Sequence, residues 1–201
     1  LFRGDCEADN KLSNGGFDPV TAADRNAEAA IRRLIAERYP HHGVIGEEYG
    51  EDRPDAEHVW VLDPVDGTRA FIAGLPLWTT LIALRTQGRP RIGLIAQPYL
   101  DEVFIGGPSG AWLIRGETHT PLKTRACERL TEAVISTTDP DIFNGAELGA
   151  WTQVRATAKL ARLGCDAYAY AMVAAGRMDL VAETSLKPWD WSALVPVVEA
   201  A

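Results

Sequence analysis

Residues 60–71 read WVLDPVDGTRAF, an apolar run that ends in two aspartates three positions apart, Asp63 and Asp66, followed by Gly67 and Thr68. The run opening at His58 is β-branched and aromatic and is stopped by Pro64, the pattern of a buried strand with an abrupt end. Pro64 fixes its own φ and disfavours helix at Asp63, while Gly67 lets the backbone approach a ligand closely. Both carboxylates can then converge on one point, where they repel unless a cation lies between them. A hard divalent ion such as Mg²⁺ takes carboxylate, carbonyl, water and phosphate oxygens. A helix opening over residues 68–72 would turn its free N–H groups toward a phosphate. The same residues also make an ordinary polar turn, since Asp, Pro and Gly are common there.

Two further stretches bear on that choice. Residues 42–49, HGVIGEEY, end another apolar run in Glu47 and Glu48, and residues 187–193, KPWDWSA, place Asp190 directly before an apolar helical pattern. GEE at 46–48, DPVDGT at 63–68 and WD at 189–190, in that order along nearly the whole chain, resemble the inositol monophosphatase superfamily of Mg²⁺-dependent, lithium-sensitive phosphomonoesterases.

The resemblance implies a mixed α/β protein with a layered α-β-α-β-α sugar-phosphatase-like fold, an antiparallel meander in the first half and an α/β second half. It implies two or three Mg²⁺ per active site. Glu47, Asp63 and the Val65 carbonyl would hold the first ion, and Asp63, Asp66 and Asp190 the second, with Asp63 bridging. The Thr68 hydroxyl and Glu47 would orient and deprotonate the attacking water, and the Gly67 and Thr68 amides would receive phosphate oxygens. Asp190 also suits the N-cap of the last helix. Glu48, the second glutamate of its motif, is expected at the solvent surface.

The 201 residues, 46% hydrophobic and 24% charged, suit one globular unit or two closely joined halves. A formal charge of −8 and the lack of a basic run argue against nucleic acid or an anionic membrane as partner. Cys6, Cys127 and Cys165 are far apart and show no C-x-x-C spacing, which favours buried thiols in a reducing, cytoplasmic compartment. No signal peptide or apolar stretch of membrane-spanning length is visible. The chain opens at Leu1 and reaches Ala201 within a continuing helical pattern, so a polypeptide longer at both ends is expected.

In chain order, residues 9–17, with Asn14-Gly15-Gly16, read as a flexible loop. Lys11 within it is either solvated or a contact to phosphate or a third metal. Residues 21–39 read as a helix with Thr21 and Asp24 as a capping pair and Pro40 closing it. The family gives Asp24 a supporting metal role besides. His41, His42, His58 and His119 form no metal pattern. Strand-like runs at 78–85, 91–97, 102–106 and 111–114, separated by turn residues, read as an antiparallel meander serving as scaffold. Near Glu128 the texture changes, dividing the chain into 1–128 and 129–201. A strand at 134–137, helices at 146–160 and 168–175, a strand at 180–183 and a helix from 191 bent at Pro196 read as the α/β half.

Residues 162–170, RLGCDAYAY, and the segment through WDWSALVPVVEAA resemble the histidinol-phosphatase branch of the superfamily. L-Histidinol phosphate carries an amino group and an imidazole, which acidic pocket residues would attract. Glu183 occupies the family's substrate-contact position and Asp166 lies where the second-half loop approaches the site; their plain alternatives are a strand-end carboxylate and a helix cap. Arg162 would anchor either acid or touch substrate. The resemblance thus implies a homodimeric enzyme of histidine biosynthesis acting on a small phosphate monoester. An inositol-1-phosphate or broader sugar-phosphate phosphatase, or a non-catalytic binding module of the same fold, are the competing readings.

Overall fold

The computed structural model describes residues 2–4, 8–11 and 19–201. Cys6 and the glycine-bearing turn expected at 14–16 lie outside the described residues. Strand β1 (Ala8–Asn10) pairs antiparallel with β2 (Pro19–Thr21), so Asp9 and Asn10, expected in a loop, are held by backbone bonds to a later segment. Helix α1 (Ala22–Arg38) starts from a capping box: the Thr21 hydroxyl accepts from the Ala23 N–H at 3.1 Å, and the Asp24 carboxylate accepts from the Thr21 N–H at 2.8 Å.

β3 (Gly43–Gly46), β4 (Gly50–Asp52) and β5 (His58–Asp66) follow. The sequence reading stopped this last strand at Pro64, but it stays in the sheet through Asp66. Asp63 pairs with Leu81 and Asp66 with Thr79, and the register shift between them absorbs the proline as a bulge. Next come α2 (Thr68–Ile72) and the meander β6 (Thr79–Thr86), β7 (Arg89–Gln97), β8 (Glu102–Gly107), β9 (Gly110–Arg115) and β10 (Thr118–Pro121). The last of these, too polar to read as a strand, is an edge. The sheet order is β10-β9-β8-β7-β6-β5-β3-β4; β3 runs parallel to β5 and the other neighbours are antiparallel.

The chain then forms β11 (Val134–Thr137), α3 (Gly145–Thr157), β12 (Leu160–Leu163), α4 (Asp166–Ala174), β13 (Leu180–Val181), α5 (Pro188–Trp191) and α6 (Leu194–Glu199). The second sheet is parallel, ordered β12-β11-β13. Leu160, expected at a helix end, instead opens β12, where pairing with Val134 outweighs its helical surroundings. The single bent helix expected after residue 191 is two short helices. Pro196 sits in the first turn of α6, where its missing N–H costs no helical bond.

β5 is apolar on both faces. Val59 and Val61 face one side, where Leu81, Ile95 and Phe104 meet Ala171 of α4 and Val197 of α6. Leu62 faces the other, against Ile35 of α1. The main core is therefore completed by helices from beyond residue 128. Ile135, Phe143 and Trp151 form a smaller core where α3 packs on the second sheet. The layers run α1, large sheet, α4 with α6, small sheet, α3, the expected five-layer mixed α/β fold. Among the described residues no helix is long and apolar enough to cross a membrane.

Two glycines set how closely α6 lies on the sheet. A Cβ at Gly93 would stand 2.0 Å from the Ala193 carbonyl oxygen, and one at Gly106 2.3 Å from the Val197 Cα. Backbone, not a flexible side chain, fills both spaces, so Gly93→Val should destabilise the protein by about 2–3 kcal/mol in urea unfolding, the scale of overpacking. Asp179 gives a pH-dependent test. Its carboxylate accepts from the Arg125 guanidinium (2.7 Å) and the Val134 N–H (2.7 Å), and the Arg125 bond holds it below the usual carboxylate range. This stabilisation is present above the unfolded carboxylate value of about 4 and is lost as pH falls through the folded one. Asp179→Asn should cost about 1 kcal/mol near neutrality and weaken the loss of stability below about pH 4.

Candidate active site

The bulge at the end of β5 presents Asp63, Val65 and Asp66 where α2, β3, α4 and α5 come together. Asp63 is 3% exposed, and its Oδ1 accepts from the Val65 N–H at 3.1 Å, which keeps the turn tight. Asp66 Oδ2 accepts from the Thr79 hydroxyl at 3.2 Å and from the Ala167 N–H at 2.8 Å. Gly67 has φ +80°, a left-handed value that any side chain would strain, and from it α2 begins. The Thr68 hydroxyl donates to the Val65 carbonyl at 3.0 Å and lies 3.5 Å from Asp24 Oδ1. Asp24, 1% exposed, thus fills its capping role and also faces the site.

Glu47 follows β3, and its N–H donates to the Leu62 carbonyl at 3.2 Å, bringing it beside β5. What fixes this loop is a side chain not expected from the sequence. Glu28 of α1, fully buried, accepts from the Glu48 N–H at 2.8 Å and the Tyr49 N–H at 3.2 Å, and pairs with Arg32 at 2.7 Å. A Cβ at Gly46 would stand 2.0 Å from Glu28 Oε1, so the glycine of GEE makes room for this carboxylate. The available signal was Asp24, Glu28 and Arg32 recurring every fourth residue on one helix face. Glu48 is not at the solvent surface: its side chain is 4% exposed and binds Lys11 Nζ at 2.6 Å, while Glu47 takes the same ammonium at 2.8 Å. Lys11 is therefore an ion-pair partner of the motif rather than a solvated lysine.

Asp190 lies within the first turn of α5, not before it. Its Oδ2 reaches back to accept from the Lys187 N–H at 2.6 Å. Glu183 follows β13 and accepts from the Thr138 N–H at 2.7 Å. Asp166 opens α4 at φ +44°, its carboxylate about 3.3 Å from where a Gly67 Cβ would be. Asp66, Asp166, Glu183 and Asp190, with Tyr170, line one recess of about 30 Å³. Arg162 is exposed on β12 and forms no ion pair with Asp166 or Glu183 among the described residues; the guanidinium that acts on Asp166 is Arg69. The histidines stay structural, with Trp60 donating to His42 Nδ1 at 3.0 Å.

Charge dominates this region. Burial, then Glu47, Asp66 and Asp190, push Asp63 well above the carboxylate range; burial, then Asp166, do the same to Asp66. Burial raises Glu47 against the pull of Lys11, and burial with Glu183 raises Asp166 to about 6. Among the described residues no three His, Cys, Asp or Glu side chains form a finished metal cage. The donors are all oxygen, however, and two of them are acids with like-charged neighbours, Asp63 buried and Asp66 half-buried, which is the chemistry a hard divalent cation satisfies. Glu47, Asp63, Asp66, Asp190 and the Val65 carbonyl fit such an ion.

Comparison with known proteins identifies the family. Residues 2–201 match the inositol monophosphatase family. The bifunctional phosphatase IMPL2, chloroplastic, of Arabidopsis thaliana is 45% identical over 187 residues, 92% of this chain and 53% of its own length. A histidinol-phosphatase of Chlorobaculum parvum is 35% identical over 91% of this chain and 70% of its own length. The chain thus spans about half of the plant relative and about 70% of the bacterial one. Among solved structures, an inositol monophosphatase from Zymomonas mobilis superposes with a TM-score of 0.86 at 39% identity, covering 100% of this chain and 75% of that one.

Because burial and like charges hold Asp63 and Asp66 above the unfolded carboxylate value of about 4, the metal-free protein should lose stability as pH rises from there through the folded-state values. Thermal unfolding in EDTA should show that slope, Mg²⁺ should raise the transition temperature most at the alkaline end, and Asp63→Asn should flatten both effects. An unchanged slope in the variant would show that the cluster does not set it.

Proposed function

The chain belongs to the inositol monophosphatase family, and from that premise we propose that it is a Mg²⁺-dependent phosphomonoesterase whose substrate is L-histidinol phosphate, releasing L-histidinol and phosphate in histidine biosynthesis. The observation that carries the substrate choice is the recess itself. Asp166 lies against Gly67, and Asp166 and Glu183 share one small space with Asp66 and Asp190. The ester's phosphate side and its leaving-group side are thus adjacent, and the leaving-group side is acidic. Histidinol brings an ammonium and an imidazole to it, the charge that two carboxylates would recognise, whereas inositol brings only neutral hydroxyls. The name of the bacterial relative is consistent with this choice, and the name of the Zymomonas structure with the inositol ester.

Glu47, Asp63, the Val65 carbonyl, Asp66 and Asp190 would hold the metal. When bound, Mg²⁺ neutralises charge on the transferring phosphoryl group and acidifies water. The chain's own contribution is position. The Thr68 hydroxyl, fixed by the Val65 carbonyl, orients the attacking water, and Glu47 takes its proton on a carboxylate oxygen. The Gly67 and Thr68 amides receive phosphate oxygens. Asp166 and Glu183 bind the cationic leaving group and hold it in line, and Arg69 limits the repulsion between Asp166 and its acidic neighbours.

Phosphate release from L-histidinol phosphate and myo-inositol 1-phosphate, measured side by side, tests this reading. Asp63→Asn should abolish turnover of both esters. Asp166→Asn should raise KM for histidinol phosphate about tenfold, equivalent to ~1.4 kcal/mol, and leave the inositol ester unaffected. A preference for the inositol ester, or equal loss on both substrates in Asp166→Asn, would overturn the substrate assignment while keeping the phosphatase.

A further inference from the structure

Helix α4 has two working faces. Asp166, Ala167 and Tyr170 line the carboxylate recess, while Tyr168, Met172 and Ala175 point the opposite way, into a separate cavity of about 440 Å³ between α4 and the outer strands of the large sheet. The floor of this cavity is apolar, from Phe104, Leu113, Leu122 and Met172. One wall is polar and fully satisfied. Glu102, with a side chain 5% exposed, accepts from the Tyr168 hydroxyl at 2.6 Å and is also held by Arg115.

The rim carries two further cations, Lys123 and Arg177. Among the described residues neither side chain has a hydrogen bond or an ion pair. Their backbones, in contrast, are pinned. The Leu122 N–H donates to the Ala111 carbonyl at 2.9 Å, the Thr124 N–H to the Ala201 carbonyl at 3.1 Å, and the Arg177 N–H to the Met172 carbonyl at 2.8 Å. Gly176, at φ +67°, brings the end of α4 so close to the strap of residues 122–125 that a Cβ there would stand 2.8 Å from the Lys123 carbonyl oxygen. Arg125 and Asp179 clamp the same strap to β11. Two unpaired cations are therefore held at the mouth of a cavity of small-ligand size with an apolar floor and a polar wall, in a protein whose net charge is −8.

We propose that this cavity is a second ligand site, which binds an organic phosphate or phosphonate dianion with its apolar body on Phe104, Leu113 and Met172 and its charged head between Lys123 and Arg177. Guanidinium and ammonium together match a dianionic tetrahedral head, and the apolar floor distinguishes an organic ester from inorganic phosphate. None of these residues belongs to the carboxylate cluster, so the site stands independently of the phosphatase reading.

Phenylphosphonate, which has no scissile ester bond, is a suitable probe. Calorimetric titration in EDTA should show saturable binding, weakened at least tenfold in the Lys123→Ala/Arg177→Ala double variant and unchanged in Asp63→Asn. Benzyl alcohol and inorganic phosphate, each carrying half of the recognised chemistry, should bind at least tenfold more weakly. Both substituted residues are exposed, and an unchanged thermal transition would confirm that the double variant folds. Absence of saturable binding, binding that persists in the double variant, or binding lost in Asp63→Asn would overturn the proposal.

Discussion

The crowding of Asp63, buried, and Asp66, half-buried, at one end of the central strand is the constraint on which the rest of this structure depends. Two carboxylates in that position are costly without compensation, because the surrounding protein solvates charge poorly and neighbouring acids raise the proton affinity of both. The fold answers locally with donors aimed at the charged form: the Val65 amide at Asp63, and the Thr79 hydroxyl and Ala167 amide at Asp66. These bonds offset the cost only in part, and a bound cation would offset the rest.

The donors come from widely separated parts of the chain, so the site exists only when the layers are assembled. The Ala167 amide reaches Asp66 because α4 lies on the large sheet, and α4 is held there by Ala171 and Ala174 within the main core and by the Tyr168 bond to Glu102. Helix α6 reinforces the same layer, its backbone fitted onto Gly93 and Gly106 without intervening side chains. On the opposite side, α1 supplies two buried acids. Asp24 closes its own first turn and faces Thr68, while Glu28 holds the backbone that carries Glu47. The residues that anchor α1 are thus the ones that position the acidic cluster.

The arrangement also explains why α4 can serve two chemistries. Residues four apart on a helix share a face, so Asp166 and Tyr170 turn toward the acids while Tyr168 and Met172 turn toward the cationic cavity. The acidic recess and the basic rim are separated by the width of one helix. A protein with a strongly negative net charge thereby keeps a local surface that attracts anions.

Some of this was determined by sequence alone. Two aspartates beside a proline at the end of an apolar run dictate a strand that ends in converging carboxylates, and Thr21 with Asp24 dictates a helix start, because both effects act over three or four residues; that the strand continues through Asp66 as a bulge was decided by its pairing with β6. The meander was legible for the same reason, through turn residues at hairpin spacing. Tertiary structure alone decided the rest. Leu160 became a strand residue because β11 offered it a parallel partner, and Glu48 and Lys11, both read as solvated, became a half-buried ion pair. The spacing of Asp24, Glu28 and Arg32 marks one polar face of α1, but that Glu28 holds the loop of Glu47 depends on where α1 lands after β3. The cation beside Asp166 is Arg69, close to it in space but far along the chain, and not Arg162, its near neighbour in sequence. Local backbone chemistry is encoded residue by residue, but which charges meet is settled only by how the sheets and helices pack.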